Sequence, residues 1–412
     1  MKHNPLMKMW LLVAALVLVL ASCKEDDPEP ETPTTLKTVF VYMPWTGNSN
    51  SLLDDFRTNI ADMKTALAAT GLNRERVVVL LAETASSARM FELTVADGVC
   101  TEQALQTYTN PSYTTSAGIA SLLSDVKAFA PAEKYSMIIG GHGMGWVHVG
   151  TYNRLKPRRA PGMDDLEHPS LTRFFGSASS GYQTDIDTLA TALARSNMKM
   201  EYMLFDDCYM SNVETAYSLK DVTQYLVACT SEMMIYGMPY ETVFPYLLGN
   251  TNYAKVCDEL ISFYNSYTIG GKAFPYATIG VTDCSQLEAL AAVMKRVNEA
   301  HPFDAEAMDI ASVQPLDGFK ATYGTLFYDL GDYVSMLCSG DDALLAEFNA
   351  QLAKTVTNKA HTDRFYSNTL SWLDGEDGTV EIRAFSGLTV SDPSDNRYAS
   401  DKETTTWWKA TH

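Results

Sequence analysis

The chain has 412 residues, 46% of them hydrophobic and 20% charged, with a formal net charge of −19 at pH 7. That hydrophobic content excludes an intrinsically disordered chain, and so acidic a balance argues against nucleic acid as a partner. The length suits one large α/β domain or two smaller ones.

The N-terminus reads as an export signal. Lys2 and Lys8 precede an apolar run over residues 9–20, which gives way to L-A-S-C, ending at Cys23. A basic region, an apolar region and a small-residue end form the pattern of a secretory signal peptide, here residues 1–22. A single transmembrane anchor is the competing reading, and the apolar run is short for it. The L-A-S-C end resembles a bacterial lipobox, which implies that Cys23 becomes the lipidated first residue of the mature chain. The acidic run K-E-D-D-P-E-P-E that follows resembles the surface-export signal of Bacteroidetes lipoproteins. Residues 23–35 then form an acidic, proline-rich tether. Together these predict an exported chain, anchored by lipid at Cys23 to the bacterial outer membrane and exposed at the surface.

Residues 38–43 (T-V-F-V-Y-M) have the β-branched and aromatic content of a strand. Residues 52–69 repeat apolar side chains at helical spacing and end at Gly71, a natural C-terminal cap. Strands are predicted at 76–81, 91–95, 135–139, 202–205, 225–228 and 277–281. Helices are predicted at 119–129, 185–195, 213–219, 252–267, 285–297, 330–338 and 343–357. This alternation predicts an α/β fold with a mostly parallel central sheet flanked by helices on both faces. The seven cysteines are irregularly spaced, with no C-x-x-C and no Cys/His ligand pattern, which argues against zinc. Beyond Cys23, most are expected to be buried thiols.

Two of these strand ends carry chemistry. The apolar run 202–205 leads into Asp206, Asp207 and Cys208. The run 135–139 leads into Gly140, Gly141, His142 and Gly143. Open α/β sheets place ligands at the carboxyl ends of their strands. A cysteine needs a base or a cation nearby to become a thiolate at neutral pH. Taken singly, each residue has a plain structural reading, since free cysteines are mostly buried and inert. Taken together, a glycine-wrapped imidazole and a thiol preceded by two carboxylates point to nucleophilic catalysis.

The segments I-I-G-G-H-G-M-G-W (138–146) and L-F-D-D-C-Y-M-S-N-V-E-T-A-Y (204–217) resemble the His-Gly and Asp-x-Cys signatures of the clostripain-like (C11) cysteine peptidases, relatives of caspases, legumains and gingipains. Residues 225–240 resemble the strand, Ser-Glu and Gly-x-Pro-Tyr continuation of that family. The resemblance runs from Leu36 to the C-terminus, so residues 36–412 read as the peptidase domain. It implies a caspase-like sheet and a cysteine endopeptidase that cuts after basic residues, Arg favoured over Lys. Cys208 would attack the scissile carbonyl. His142 would protonate the departing amine and then activate water. The backbone N–H groups of Gly143 and Cys208 would hold the oxyanion. Asp206 matches the position that receives Arg or Lys in basic-specific relatives, and Glu232 is a second candidate for that pocket. The competing reading of Asp206 is a cap for the helix after Cys208, or a partner for loop amides. Asp207 stands where a small residue is usual, and Ser211 where Gly is usual; both bear on substrate preference. No cofactor is required. Calcium helps some members of the family, although no EF-hand-like loop is visible here.

The most basic stretch of this acidic chain, R-L-K-P-R-R-A-P-G (154–162), lies between the two motifs. A solvated loop is one reading. The other is self-processing, because basic-specific relatives cut themselves between these motifs. The bond between Arg159 and Ala160 is the candidate, since Pro157 blocks cleavage after Lys156. The partner predicted is a protein or peptide substrate with basic residues. Two alternatives stand beside it: a related peptidase with non-basic specificity, and a catalytically silent surface lipoprotein that binds peptide or glycan. No G-x-S-x-G elbow points to a serine hydrolase.

Overall fold

Nine strands form one sheet: β1 (Lys37–Met43), β2 (Glu75–Thr84), β3 (Ser87–Ala96), β4 (Val99–Thr109), β5 (Lys134–Gly140), β6 (Met200–Asp206), β7 (Thr223–Ala228), β8 (Thr278–Asp283) and β9 (Val356–His361). Their spatial order is β9-β8-β7-β6-β5-β1-β2-β3-β4. A computed structural model describes residues 35–48, 51–155, 180–319, 323–374 and 377–412. The signal peptide, Cys23, nearly all of the tether and the Arg159–Ala160 bond lie outside the described residues.

The middle five strands, β2-β1-β5-β6-β7, run parallel. Antiparallel strands extend the sheet at each edge. The parallel strands are apolar on both faces, as a sheet covered on both sides requires. In β1, Phe40 and Tyr42 pack into one core, while Val39, Val41 and Met43 pack into the other. Helices cover the two faces. On one side, α1 (Leu53–Thr70) buries Phe56, Ile60, Met63 and Leu67. On the other, α2 (Ser116–Phe129) and α3 (Ile186–Arg195) bury Ile119, Leu122, Leu123, Val126, Leu189 and Leu193. Both patterns follow the three-and-four spacing of an amphipathic helix. The expected α/β architecture is therefore present. Among the described residues no helix is long and apolar enough to cross a membrane.

The structure differs from expectation at the sheet edges. The short strand expected at 91–95 is the ten-residue β3, paired antiparallel with β4, for which no element was expected. Most of β4 is exposed and it lacks the continuous apolar run of a buried strand. The local signal for the hairpin is Asp97-Gly98, both at positive φ (52° and 74°), the requirement of a tight hairpin turn. At the other edge, the helix expected to reach residue 357 ends at Thr355, and the β-branched Val356 opens β9.

Parallel pairing sets the site. In the β5–β6 register Gly140 lies opposite Asp206. His142 and Cys208 each stand two residues beyond that pair, at neighbouring strand ends.

Candidate active site

Each strand end turns sharply, and after β5 the sequence says why. After β5 the chain runs Gly140-Gly141-His142-Gly143. Gly143 lies against the main chain of Cys208: a Cβ built on it would be 2.0 Å from the Cys208 carbonyl oxygen and 2.6 Å from its nitrogen. Real Cβ atoms do not approach backbone so closely, so only glycine fits. This contact brings the His142 and Cys208 segments together. His142 is 2% exposed and Cys208 is fully buried.

After β6 the chain turns at Tyr209, whose φ is 60°. The Tyr209 N–H donates to the Ser231 carbonyl at 3.0 Å, and the Ser211 N–H to the Cys229 carbonyl at 2.9 Å. The Asn212 side-chain NH₂ donates to the Tyr209 carbonyl at 2.7 Å, while its oxygen accepts the Thr215 N–H at 2.7 Å. Asn212 therefore caps α4 (Val213–Leu219).

The thiol of Cys208 accepts the Met233 N–H at 3.3 Å. Burial, with the Glu232 and Asp207 carboxylates nearby, pushes it well above the ordinary thiol range. Reaction requires the thiol proton to leave.

Asp206 is fully buried. One of its oxygens accepts the Met238 N–H at 2.9 Å and the other accepts the Tyr240 hydroxyl at 3.1 Å. It holds a loop and does not cap α4, a task that belongs to Asn212. Glu232 stands on the segment after β7. Its Oε1 accepts the Tyr209 hydroxyl at 2.7 Å and the Ser367 hydroxyl, and its Oε2 accepts the Asn368 N–H at 3.0 Å.

Three supporting residues carry no local sign of their role in the sequence. Tyr209 carries no sign of its left-handed backbone, which favours Gly or Asn. The Trp146 indole donates to Ser391 Oγ at 2.9 Å, and the Ser391 N–H donates to Glu214 Oε1 at 2.7 Å. Ser391 thus ties the histidine loop to the helix after the cysteine. A partner so far along the chain leaves no local signal. The six described cysteines are buried and form no disulfide with one another. Among the described residues no group of three or more His, Cys, Asp or Glu is arranged to hold a metal ion.

The family model for the clostripain family, Peptidase C11, matches residues 41–370. The chain belongs to the clostripain family of C11 cysteine proteases. This clostripain-family chain is similar to a secreted C11 cysteine protease from Bacteroides thetaiotaomicron, "iotapain", at 44% identity and a TM-score of 0.81, over 92% of this chain and 99% of that one. It is also similar to a clostripain from Bacteroides thetaiotaomicron ATCC 29148 in complex with the peptide inhibitor BTN-VLTK-AOMK. The identity there is 49% and the TM-score 0.53, over 58% of this chain and 99% of that one. An inactive zymogen C11 protease from Parabacteroides distasonis shares the fold at 20% identity and a TM-score of 0.74, over 93% of this chain and 99% of that one. No curated protein sequence matches the chain.

Proposed function

We propose that this clostripain-family protease is an endopeptidase that cuts after basic residues, Arg before Lys, with Cys208 as nucleophile and His142 as general acid and base. The observation that carries the reading is the pairing of two strand ends. Gly140 lies opposite Asp206, and Gly143 is pressed against the Cys208 backbone. The thiol attacks the scissile carbonyl as its proton leaves toward His142. The imidazolium returns that proton to the departing amine, and the neutral imidazole left behind takes one from water, whose oxygen attacks the acyl carbon and releases the Cys208 thiolate. The N–H groups of Gly143 and Cys208 receive the oxyanion.

Selectivity rests on Asp206, with Glu232 as a second carboxylate. A guanidinium makes paired charge-assisted hydrogen bonds to carboxylates, which favours Arg. The inhibitor of the Bacteroides thetaiotaomicron clostripain, BTN-VLTK-AOMK, ends its peptide letters with lysine, which supports a basic residue before the scissile bond. The reaction requires no cofactor, and calcium is a separate question.

The same reading includes self-processing between Arg159 and Ala160. Its support is the basic run R-L-K-P-R-R-A-P-G (154–162), which lies between the His142 and Cys208 segments. It also includes export under the signal of residues 1–22, lipid attachment at Cys23, a tether over 23–35 and a peptidase domain over 36–412. One relative is described as secreted.

The test is turnover of fluorogenic peptides ending in Arg, Lys, Asn or Asp, with and without a calcium chelator, by the parent and by Asp206→Asn. The expected order is Arg, then Lys, with Asn and Asp negligible. Asp206→Asn loses about tenfold to a hundredfold on Arg, the worth of a hydrogen bond to a charged group. Equal or better turnover of the Asn or Asp peptide overturns the basic preference. A loss on chelation adds calcium to the requirements.

A further inference from the structure

Tyr209, directly after the proposed nucleophile, adopts a φ of 60°. That conformation costs an ordinary L-residue on the order of 1–2 kcal/mol and is habitual only for Gly, Asn and Asp. Something must hold it. Its N–H donates to the Ser231 carbonyl, and its carbonyl accepts the Asn212 side chain. Its hydroxyl donates to Glu232 Oε1 at 2.7 Å. Its ring stacks on Phe327 with centroids 5.1 Å apart and planes 19° apart, and Phe319 lies against it at 5.8 Å. The residue is 2% exposed. Glu232 is itself fixed by Ser367 and by the Asn368 N–H.

The next residue along, Met233, donates its N–H to the Cys208 thiol at 3.3 Å. Consecutive residues on one segment, Cys208 and Tyr209, are thus fastened to consecutive residues on another, Met233 and Glu232. Rotating Tyr209 out of its conformation would turn the peptide plane that joins it to Cys208. That plane includes the carbonyl against which Gly143 is packed.

We propose that Tyr209 is a positioning residue, whose hydroxyl bond to Glu232 and stack on Phe327 hold the Cys208 thiol and amide in line for attack. This inference rests on the reading of Cys208 as the nucleophile. It gives Glu232 a role that operates through Tyr209 whether or not substrate reaches the carboxylate. The hydroxyl is chemically idle in the reaction: it moves no proton to or from substrate.

The experiment uses the full mature chain and three variants: Tyr209→Phe, which keeps the ring and removes the hydroxyl; Phe327→Leu, which keeps the hydroxyl and removes the stack; and Cys208→Ala. Two rates are read. One is turnover of a peptide ending in Arg, resolved into kcat and KM. The other is alkylation of Cys208 by iodoacetamide, followed by peptide mapping, which needs no substrate. Tyr209→Phe is expected to lower kcat about tenfold with KM unchanged, as loss of one hydrogen bond to a carboxylate implies, and to slow alkylation in the same proportion. Its thermal midpoint should stay close to that of the parent. Phe327→Leu should lower kcat in the same direction, again with KM unchanged. Parent-like kcat and alkylation in both variants overturns the proposal. So does a change confined to KM, or a loss that simply follows a lowered thermal midpoint. Turnover that survives in Cys208→Ala sinks the nucleophile assignment instead, so the two failures are distinguishable.

Discussion

The Cα of Gly143 is packed against the main chain of Cys208, with no room for a Cβ between them. The obstacle is backbone, which cannot swing aside as a side chain can. Gly143→Ala must therefore push the His142 loop away from the cysteine and displace a proposed oxyanion donor. Activity is expected to fall about a hundredfold or more, the usual consequence of losing such a donor. The check is kcat/KM for an Arg peptide, with circular dichroism to show retained fold. A parent-like rate would remove Gly143 from the oxyanion site.

Ser391 links the His142 loop to the helix after Cys208 from far along the chain, accepting from Trp146 and donating its N–H to Glu214. Ser391→Ala leaves the buried Trp146 N–H without its acceptor. The expected cost is about 1–3 kcal/mol of stability in urea denaturation, with lowered kcat. Trp146→Phe removes the donor instead and should be milder. Equal stability in all three proteins would mean that the clamp contributes nothing.

Stability should fall as pH rises above the acid range. Burial, with Asp392 nearby, pushes the Glu214 carboxyl from its ordinary 4.5 up to about 8. Burial lifts Asp392 from 3.8 to about 7. Between those values the folded chain holds protons that the unfolded chain has released, so the native state loses stability with rising pH. The Glu214 contribution is complete below pH 4.5 and gone above about 8, and that of Asp392 is complete below 3.8 and gone above about 7. His148 is raised by its bond to Asp185 and acts in the same direction. Denaturation in urea at pH 5 to 9 should show the decline. Glu214→Gln, which keeps an acceptor for Ser391, should flatten it. A stability that rises across this range would contradict the assignment.

Self-processing gives a mass signature. The parent should split after Arg159, while Arg159→Ala and Cys208→Ala stay intact through the same incubation. Intact mass spectrometry decides it. A split in Cys208→Ala would point to another protease.

Much of this was legible in the residues. The apolar runs ending in His142 and Cys208 marked the two strands, because strands buried on both faces have little choice but to be apolar. Asp97-Gly98 carries a hairpin signal, but no apolar run follows it, because β4 is an exposed edge whose side chains need not be apolar. The Asp206 contacts with Met238 and Tyr240 were only half foreseen, as loop amides. The clamp through Ser391 and the strained turn at Tyr209 were not legible at all. Both depend on contacts between distant segments, and neither serine nor tyrosine announces such a role locally.

The most direct test of the account is to treat the mature chain and Cys208→Ala with an electrophilic peptide ending in Arg, map the label, and measure turnover of the matching substrate. The account predicts one label, on Cys208, in the parent only, with turnover abolished in the variant. Label on another residue, or turnover surviving in Cys208→Ala, would contradict it.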